Sequence, residues 1–114
     1  MLLVKTYLDK SPIHGIGLFA AEDIPIGEKI ATYDLQFNPI IKISPTLSKQ
    51  ALLFVKKYGV NRDGFMWYRM YLDDERFMNH SDDPNTIQIG MDVCIAKVLI
   101  KEGEEITCNY NQLK

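Results

Sequence analysis

The sequence predicts a mainly β domain of short strands with one or two short helices. Three observations carry this prediction. The chain has 114 residues, which suits one domain over 1–114 and leaves no room for two. Apolar segments of strand length alternate with turns marked by glycine, proline or aspartate. The hydrophobic fraction of 46% and the charged fraction of 25% are those of an ordinary soluble globular protein.

The first third of the chain consists of apolar segments separated by turn-forming residues. The predicted elements are a strand at 2–8, a strand at 29–33, and a loop with a strand at 35–43. Asp9–Pro12 forms one turn, and Pro25 with Gly27 forms another. Between them, Gly15 and Gly17 alone predict no more than a tight turn, because two glycines one residue apart are a weak phosphate-loop signal.

A helix is predicted to begin at Ser44 and Pro45. Serine can cap the first free amides of a helix, and proline fits the first helical position. The segment ends with two lysines and Gly59, which favour a helix C-terminus. The residues expected on its apolar side are Leu47, Ala51, Leu52, Phe54 and Val55.

The remainder of the chain returns to strands. The predicted strands are 65–72, 86–91, 93–100 and 105–110, with a turn around Gly103. We find no repeat, low-complexity segment or linker.

Charge and the N-terminal residues exclude several classes of function. With 13 basic and 15 acidic residues the net charge is −2, which argues against direct nucleic-acid binding and is compatible with a basic protein partner. Only three apolar residues separate Met1 from Lys5, too few for a signal-peptide core or a membrane span. We therefore expect no membrane association and a cytoplasmic or nuclear location, depending on the source.

The two cysteines are expected to be buried free thiols. Cys94 and Cys108 both stand in apolar strand patterns and form no C-x-x-C pair. A nucleophilic pairing of either with His80 has no local signature in its favour. A metal site is not expected either, because His14 and His80 are the two histidines and no cysteine lies near them at ligand spacing.

The polar stretch RFMNHSDDPN, Arg76–Asn85, concentrates hydrogen-bonding side chains in ten residues. Taken alone, it fits a sharp turn, part of a catalytic group, half a metal site or a ligand cradle. The order of this stretch and two other motifs along the chain favours one of these four interpretations. SPIHGIGLFAAEDIPIGEKIATY precedes it, and AKVLIKEGEEITCNY follows it. This series resembles the SET-domain family of protein-lysine methyltransferases over almost the whole chain.

The resemblance implies the β-clip fold of that family, with several small sheets. It also implies that the Asn79 loop passes beneath the C-terminal segment in a knot-like crossing, a topology that ordinary folds avoid. Dense hydrogen bonding by Arg76 and Asn85 would hold the loop.

The resemblance also implies a site for S-adenosyl-L-methionine. Asn79 would contact the amino-acid end of the cofactor, and His80 would contact the adenine through its backbone. Gly15 and Gly17 would let the backbone approach closely, since no Cβ intervenes. The full set of cofactor-binding residues implied is His14, Gly15, Ile16, Gly17, Arg76, Asn79 and His80.

Tyr110 matches the catalytic tyrosine of the family. Tyr33 is the second catalytic candidate, because it stands where several members have a channel-lining tyrosine, and packing in the core explains it equally well. Trp67 and Tyr68 are further channel candidates, although strand aromatics packed in the core explain them equally well. Cys108 stands where an aromatic ring often limits the pocket. A cysteine there predicts room for di- or trimethyl-lysine.

The expected function is methyl transfer from S-adenosyl-L-methionine to a lysine amine in a basic protein. The sequence stops four residues after Tyr110, so the channel would be left open or be completed by the substrate or by a second copy in a homodimer. Two alternatives stay open: an inactive SET-like β domain that serves as a protein-interaction module, and a methyltransferase acting on another amine.

Overall fold

The computed structural model describes residues 1–61, 66–90 and 92–113. Short strands dominate these residues, joined by one α-helix and two 3₁₀ helices. The strands are β1 Thr6–Lys10, β2 Ile16–Ala20, β3 Lys29–Thr32, β4 Ile40–Lys42, β5 Val60–Asn61, β6 Trp67–Arg69, β7 Asn79–His80, β8 Thr86–Ile89, β9 Val93–Ala96 and β10 Thr107–Cys108. The helix α1 is Lys49–Tyr58, and the 3₁₀ helices are Asp74–Phe77 and Tyr110–Gln112.

The strands form four small sheets, which confirms the predicted fold class. β1 pairs with β2, β3-β9-β8 and β4-β6-β5 each form a three-stranded sheet, and β7 pairs with β10. The β7–β10 pair is parallel, with Asn79 opposite Thr107 and His80 opposite Cys108. It joins the two segments for which the knot-like crossing was predicted.

The core lies between these sheets and supports the β7–β10 pair from below. Leu18, Ile24, Ile30, Ile100 and Ile106 are fully buried. Each such side chain stabilises the fold by about 1.5–3 kcal/mol relative to exposure. Met78, directly before β7, and Cys108, within β10, belong to the same cluster. Both segments of the β7–β10 pair are therefore attached to the core.

The predicted start of the helix is wrong by four residues. α1 is capped by Ser48, whose Oγ accepts a hydrogen bond from the Ala51 amide at 3.1 Å. The Ser44 hydroxyl is instead 2.9 Å from the Thr46 hydroxyl, and the Leu47 amide donates to the Ser44 carbonyl in a separate turn. The predicted end is confirmed, since the Gly59 amide caps the Val55 carbonyl at 2.7 Å.

The predicted apolar face of the helix is wrong for Phe54. Val55 is the buried residue of α1, whereas the side chain of Phe54 is 43% exposed. The Phe54 ring packs along the helix against Tyr58, with ring centroids 4.9 Å apart. A contact between residues i and i+4 therefore covers this ring in place of the core. No helix among the described residues is long and apolar enough to cross a membrane.

The strands are shorter than predicted. The first begins at Thr6 and not at residue 2, and the segments predicted at 93–100 and 105–110 keep strand geometry only over Val93–Ala96 and Thr107–Cys108. Their outer residues form single bridges between sheets, such as Ile24 with Ile100 and Phe19 with Glu105. Phe65 and Met91, at the ends of two other predicted strands, lie outside the described residues.

The cap at Ser48 gives a direct test of the helix start. Replacing Ser48 with alanine should lower the free energy of unfolding by about 1 kcal/mol, because the Ala51 amide loses its acceptor. Ser44→Ala is the matched control and should cost clearly less. Urea unfolding of the two variants measures both values. An equal loss for both, or a larger loss at Ser44, would contradict the assigned cap.

Candidate functional site

Two segments meet at the centre of the candidate site, 78–86 and 105–110, and we call their contact the junction. Backbone pairing between β7 and β10 begins it, and the Ser81 amide extends it by donating to the Cys108 carbonyl at 2.9 Å. The Thr86 hydroxyl, fully buried, donates to the Thr107 carbonyl at 2.7 Å. The junction is thus closed by both backbone and side-chain hydrogen bonds.

Asn85 makes the side-chain contacts that lock the junction. Its Nδ2 donates to the Glu105 carbonyl at 2.8 Å, and its Oδ1 accepts from the Thr107 amide at 2.9 Å. A primary amide offers both a donor and an acceptor, so one side chain replaces a pair of strand hydrogen bonds. The conspicuous polarity of the 76–85 stretch therefore has a structural cause in this residue.

The side chain of Asn79 links the junction to the loop before β2. Its Nδ2 lies 3.0 Å from the His14 carbonyl, 3.4 Å from the Ile16 carbonyl and 2.9 Å from Oε2 of Glu105. Three acceptors surround one nitrogen, which fixes the orientation of the amide. None of these three contacts uses its Oδ1, which is the acceptor atom of the amide.

The carboxylate of Glu105 occupies the space that a side chain at Gly17 would need. A Cβ at Gly17 would lie 2.5 Å from Oε2 of Glu105. The same carboxylate accepts hydrogen bonds from the Ser11 hydroxyl at 2.8 and 2.9 Å. Gly17 is therefore required by Glu105. Sequence reasoning missed Glu105, although an acidic residue directly before the buried Ile106 and Thr107 is a signal that could have found it.

Gly15 shapes the loop that faces Asn79. Its φ of +47° lies in the left-handed region that favours glycine, and a Cβ there would meet no atom within 4 Å. The Ser11 amide donates to the Gly15 carbonyl at 2.8 Å, and the Ser11 hydroxyl accepts from the Ile13 amide at 2.9 Å. The loop is closed from within and leaves open space on the outer side of Gly15.

Both ring nitrogens of His80 are occupied. Nδ1 accepts from the Tyr110 amide at 3.0 Å, which assigns the ring proton to Nε2, and Nε2 lies 2.8 Å from a carboxylate oxygen of Asp82. The ring also packs against Tyr110, with centroids 5.2 Å apart. The imidazole therefore orients the C-terminal segment.

Tyr110 directs its hydroxyl at the backbone just before Asn79. The hydroxyl donates to the Met78 carbonyl at 2.8 Å. The side chain is 43% exposed. Burial of the ring is the main cause that raises the pKa of Tyr110, with the nearby Glu105 carboxylate adding to it. The phenol consequently stays protonated at neutral pH.

A cavity of about 230 Å³ opens beside Tyr110. Arg76 and Cys108 also line it, so the structure brings together three residues singled out by the sequence. Its remaining walls are Lys57, Tyr58, Gly59, Val60, Tyr71, Glu75, Met78, Gln88, Cys94 and Leu113. The Arg76 guanidinium lies 5.6 Å from the centre of the Tyr58 ring.

Tyr33 lines a second, smaller cavity, of about 20 Å³, which is the size of one water molecule. The two cavities share four wall residues: Tyr71, Glu75, Gln88 and Cys94. The ring of Tyr33 is covered by the Arg69 guanidinium, 4.4 Å from its centre. Trp67 and Tyr68 are not among the residues that line either cavity.

The two thiols that line the larger cavity are not reactive nucleophiles. Burial raises the pKa of Cys94 from 9.0 to about 11. It raises the pKa of Cys108 from 9.0 to about 12. Both groups are therefore protonated at neutral pH, and both cysteines are free.

Comparison with known proteins identifies relatives of this arrangement. The family model described as SET domain matches residues 15–111. A solved Plasmodium falciparum structure, named as a candidate histone methyltransferase, is 24% identical with a TM-score of 0.61, and the match covers 96% of this chain and 95% of that one. At this identity the likeness shows the fold alone. A search of curated proteins gives no match.

Two further structures are of the Polycomb Repressive Complex 2 from Chaetomium thermophilum. One, in an autoinhibited conformation bound to S-adenosylmethionine, is 26% identical with a TM-score of 0.71 over 95% of this chain. The other, bound to GSK126, is 25% identical with a TM-score of 0.69 over 94% of this chain. This chain spans 15% and 16% of the lengths of those two chains.

The contact between Gly17 and Glu105 can be tested by a double-mutant cycle. Gly17→Ala should lower the free energy of unfolding by about 1–3 kcal/mol, because the added methyl displaces the Glu105 carboxylate. Glu105→Ala should cost less in that background than in the wild type, with a coupling of about 1 kcal/mol. Gly27→Ala, where a Cβ meets nothing within 4 Å, is the control and should combine additively with Glu105→Ala. Additivity at Gly17 as well would refute the contact.

Proposed function

Because this chain belongs to the SET-domain family, we propose that it is a protein-lysine N-methyltransferase that uses S-adenosyl-L-methionine. In this proposal residues 1–114 form one SET domain. The observation that carries the proposal is the hydrogen bond from the Tyr110 hydroxyl to the Met78 carbonyl. It lies at the wall of the larger cavity and directly before Asn79, whose amide nitrogen is fixed by three acceptors.

The residues at the junction fit the cofactor. The Oδ1 of Asn79 suits the α-ammonium group of the cofactor, because it is the acceptor of the amide and the nitrogen is already committed to three acceptors. Open space beside Gly15 admits a ligand next to the backbone of the 14–17 loop. The backbone of His80, whose ring is occupied, is left to meet the adenine.

Arg76 supplies the cation that the cofactor's carboxylate needs. Its guanidinium group lines the larger cavity, and its Nε is buried without a hydrogen-bond partner among the described residues. A buried donor without a partner is costly, and a carboxylate ligand would satisfy it. We therefore assign Arg76 to the carboxylate and Asn79 to the ammonium of the same amino-acid end.

When bound, the cofactor supplies a methyl group on a positively charged sulfonium. The protein's contribution is to position a neutral amine in line with that group and to exclude water, which accounts for most of the acceleration in a simple displacement. Tyr110 contributes as a neutral phenol. Its hydroxyl, held on the Met78 carbonyl, presents oxygen lone pairs that orient the amine without removing its proton.

The cavity and the charge of the chain favour a lysine side chain from a basic protein. Its walls combine apolar groups such as Met78 and Leu113 with a few charged ones, which suits an aliphatic stem with an amine at its tip. The net charge of −2 favours a basic partner. Because one Polycomb Repressive Complex 2 structure, 26% identical to this chain with a TM-score of 0.68, is in complex with H3K27me3, a histone or another small basic protein in the nucleus or cytoplasm is our candidate substrate. The substrate, or a second copy of the chain, would cover the exposed side of Tyr110.

Two substitutions separate cofactor binding from transfer. Asn79→Ala should weaken equilibrium binding of S-adenosyl-L-methionine roughly 10- to 100-fold, the worth of a hydrogen bond to a charged group. Tyr110→Phe should leave that affinity nearly unchanged and lower transfer of a labelled methyl group to basic proteins about 100-fold. Tyr7→Phe, on β1, is the matched control. Cofactor binding without transfer by the wild type would support the interaction-module alternative and reject the enzyme.

The pocket at Cys108 gives a prediction about the product. Because Cys108 lines the cavity with a small side chain, the wild type should form di- and trimethyl-lysine. Cys108→Phe should shift the product toward monomethyl-lysine by filling that space, provided the variant unfolds at a temperature close to that of the wild type. Mass spectrometry of a lysine peptide after long incubation measures the distribution. Monomethyl-lysine alone from the wild type would contradict the prediction.

A further inference from the structure

A lysine that enters the larger cavity must lose a proton before it can accept a methyl group. The free side chain has a pKa of about 10.4, so at neutral pH it arrives as an ammonium ion without a lone pair. Tyr110 cannot take the proton, because its hydroxyl is itself protonated and its pKa is raised by burial. If the proposed function is correct, the proton must pass to another group of the protein or to solvent.

The walls of the larger cavity leave one candidate. Lys57 and Arg76 are cations, and Gln88 is a neutral amide. The thiols of Cys94 and Cys108 already hold their protons, since their pKa values are raised to about 11 and about 12. Among the described residues that line this cavity, Glu75 is the one that carries a carboxyl group.

Glu75 lies on the first 3₁₀ helix, in the wall that the two cavities share. Its side chain is only 15% exposed. Burial is the main cause that raises the pKa of Glu75, which makes it a stronger base than a surface glutamate. Glu75 also lines the small, water-sized cavity, which has Asp92 on its wall. A proton that Glu75 accepts from the larger cavity could leave through this space.

Several charged groups act on Glu75. The α-amino group of Met1 lies 3.0 Å from its Oε1 and lowers its pKa, as does Arg69. Asp73 raises it. Lys57 and Arg76 line the same large cavity and Asp92 the small one. The effect of burial on the pKa of Glu75 is larger than the opposite effect of the cations, so its pKa is raised. Glu75 is therefore a stronger base than an exposed glutamate, at the wall of a cavity that can admit a cation.

We propose that Glu75 accepts the proton of the target lysine's ammonium group. The N–H bond breaks with its electron pair staying on nitrogen, and an O–H bond forms on the carboxylate. The neutral amine keeps the lone pair for the methyl group, and neutral Glu75 then releases its proton to solvent through the small cavity. The Glu75 carboxylate thus both attracts the ammonium ion and removes its proton.

The pH dependence of methyl transfer tests this role. Between pH 7 and 9 the wild type should show a nearly flat kcat/KM for a lysine peptide. Glu75→Gln should be reduced at least tenfold at pH 7, and its kcat/KM should rise about tenfold per pH unit, because it depends on lysine already deprotonated in solution. Asp74→Asn, on the same 3₁₀ helix but exposed, is the matched control and should behave as the wild type.

A less basic substrate adds a second readout. A lysine analogue with sulfur in place of the γ-methylene carries a less basic amine, so it should restore Glu75→Gln activity more than it raises that of the wild type.

Binding without cofactor gives a third readout. The wild type should bind a lysine peptide more tightly than the norleucine peptide, and Glu75→Gln should lose that preference. A merely structural role for Glu75 would change neither comparison.

The outcomes separate this inference from the proposed function. No transfer by the wild type at any pH would refute both. An active wild type with a Glu75→Gln profile parallel to its own would refute the role of Glu75 alone. If Glu75→Gln fails to fold, Glu75→Asp keeps a carboxylate, and its kcat/KM should keep the flat profile at a reduced rate. A profile rising tenfold per pH unit in Glu75→Asp would also refute the role.

Discussion

The junction between segments 78–86 and 105–110 is the constraint on which the rest of the molecule depends. Segments this short form only two residue pairs of sheet, so the backbone alone holds them weakly. Side-chain amides add further hydrogen bonds between the two segments. Asn85 binds the C-terminal segment through both its donor and its acceptor, and Asn79 ties the same place to the loop before β2. The polar 76–85 stretch is thus first a structural device, and the ligand site is built on it.

The same network decides which groups remain free for a ligand. Glu105 and the carbonyls of His14 and Ile16 occupy the nitrogen of the Asn79 amide, and His80 uses its ring to hold Tyr110. The groups that remain for a ligand are an amide oxygen, backbone and a neutral phenol. Such groups position and desolvate a reactant but transfer no proton at neutral pH. In our proposal the proton of the lysine passes instead to Glu75, whose carboxyl group lines both cavities.

The family resemblance implied the small sheets, and sequence patterns predicted several strands and the helix C-terminus because those depend on local chemistry. They failed where two residues of the same type compete, as at Ser44 and Ser48, since only the packed structure shows which hydroxyl reaches a free amide. Strand lengths were overestimated because apolar residues that bridge sheets look like strand residues. Motif resemblance led to Asn79 and Tyr110. It gave no access to Glu75 or Glu105, whose importance comes from burial and from contacts across the fold.

The central claim is that the junction and the 14–17 loop together form the cofactor site. The most direct measurement is a titration of ¹⁵N-labelled protein with S-adenosyl-L-methionine, followed by backbone amide chemical shifts. Saturable changes should concentrate in residues 14–17, 76, 79–81 and 108–110. Saturable changes centred on another part of the chain, or none at millimolar cofactor in the folded protein, would contradict it.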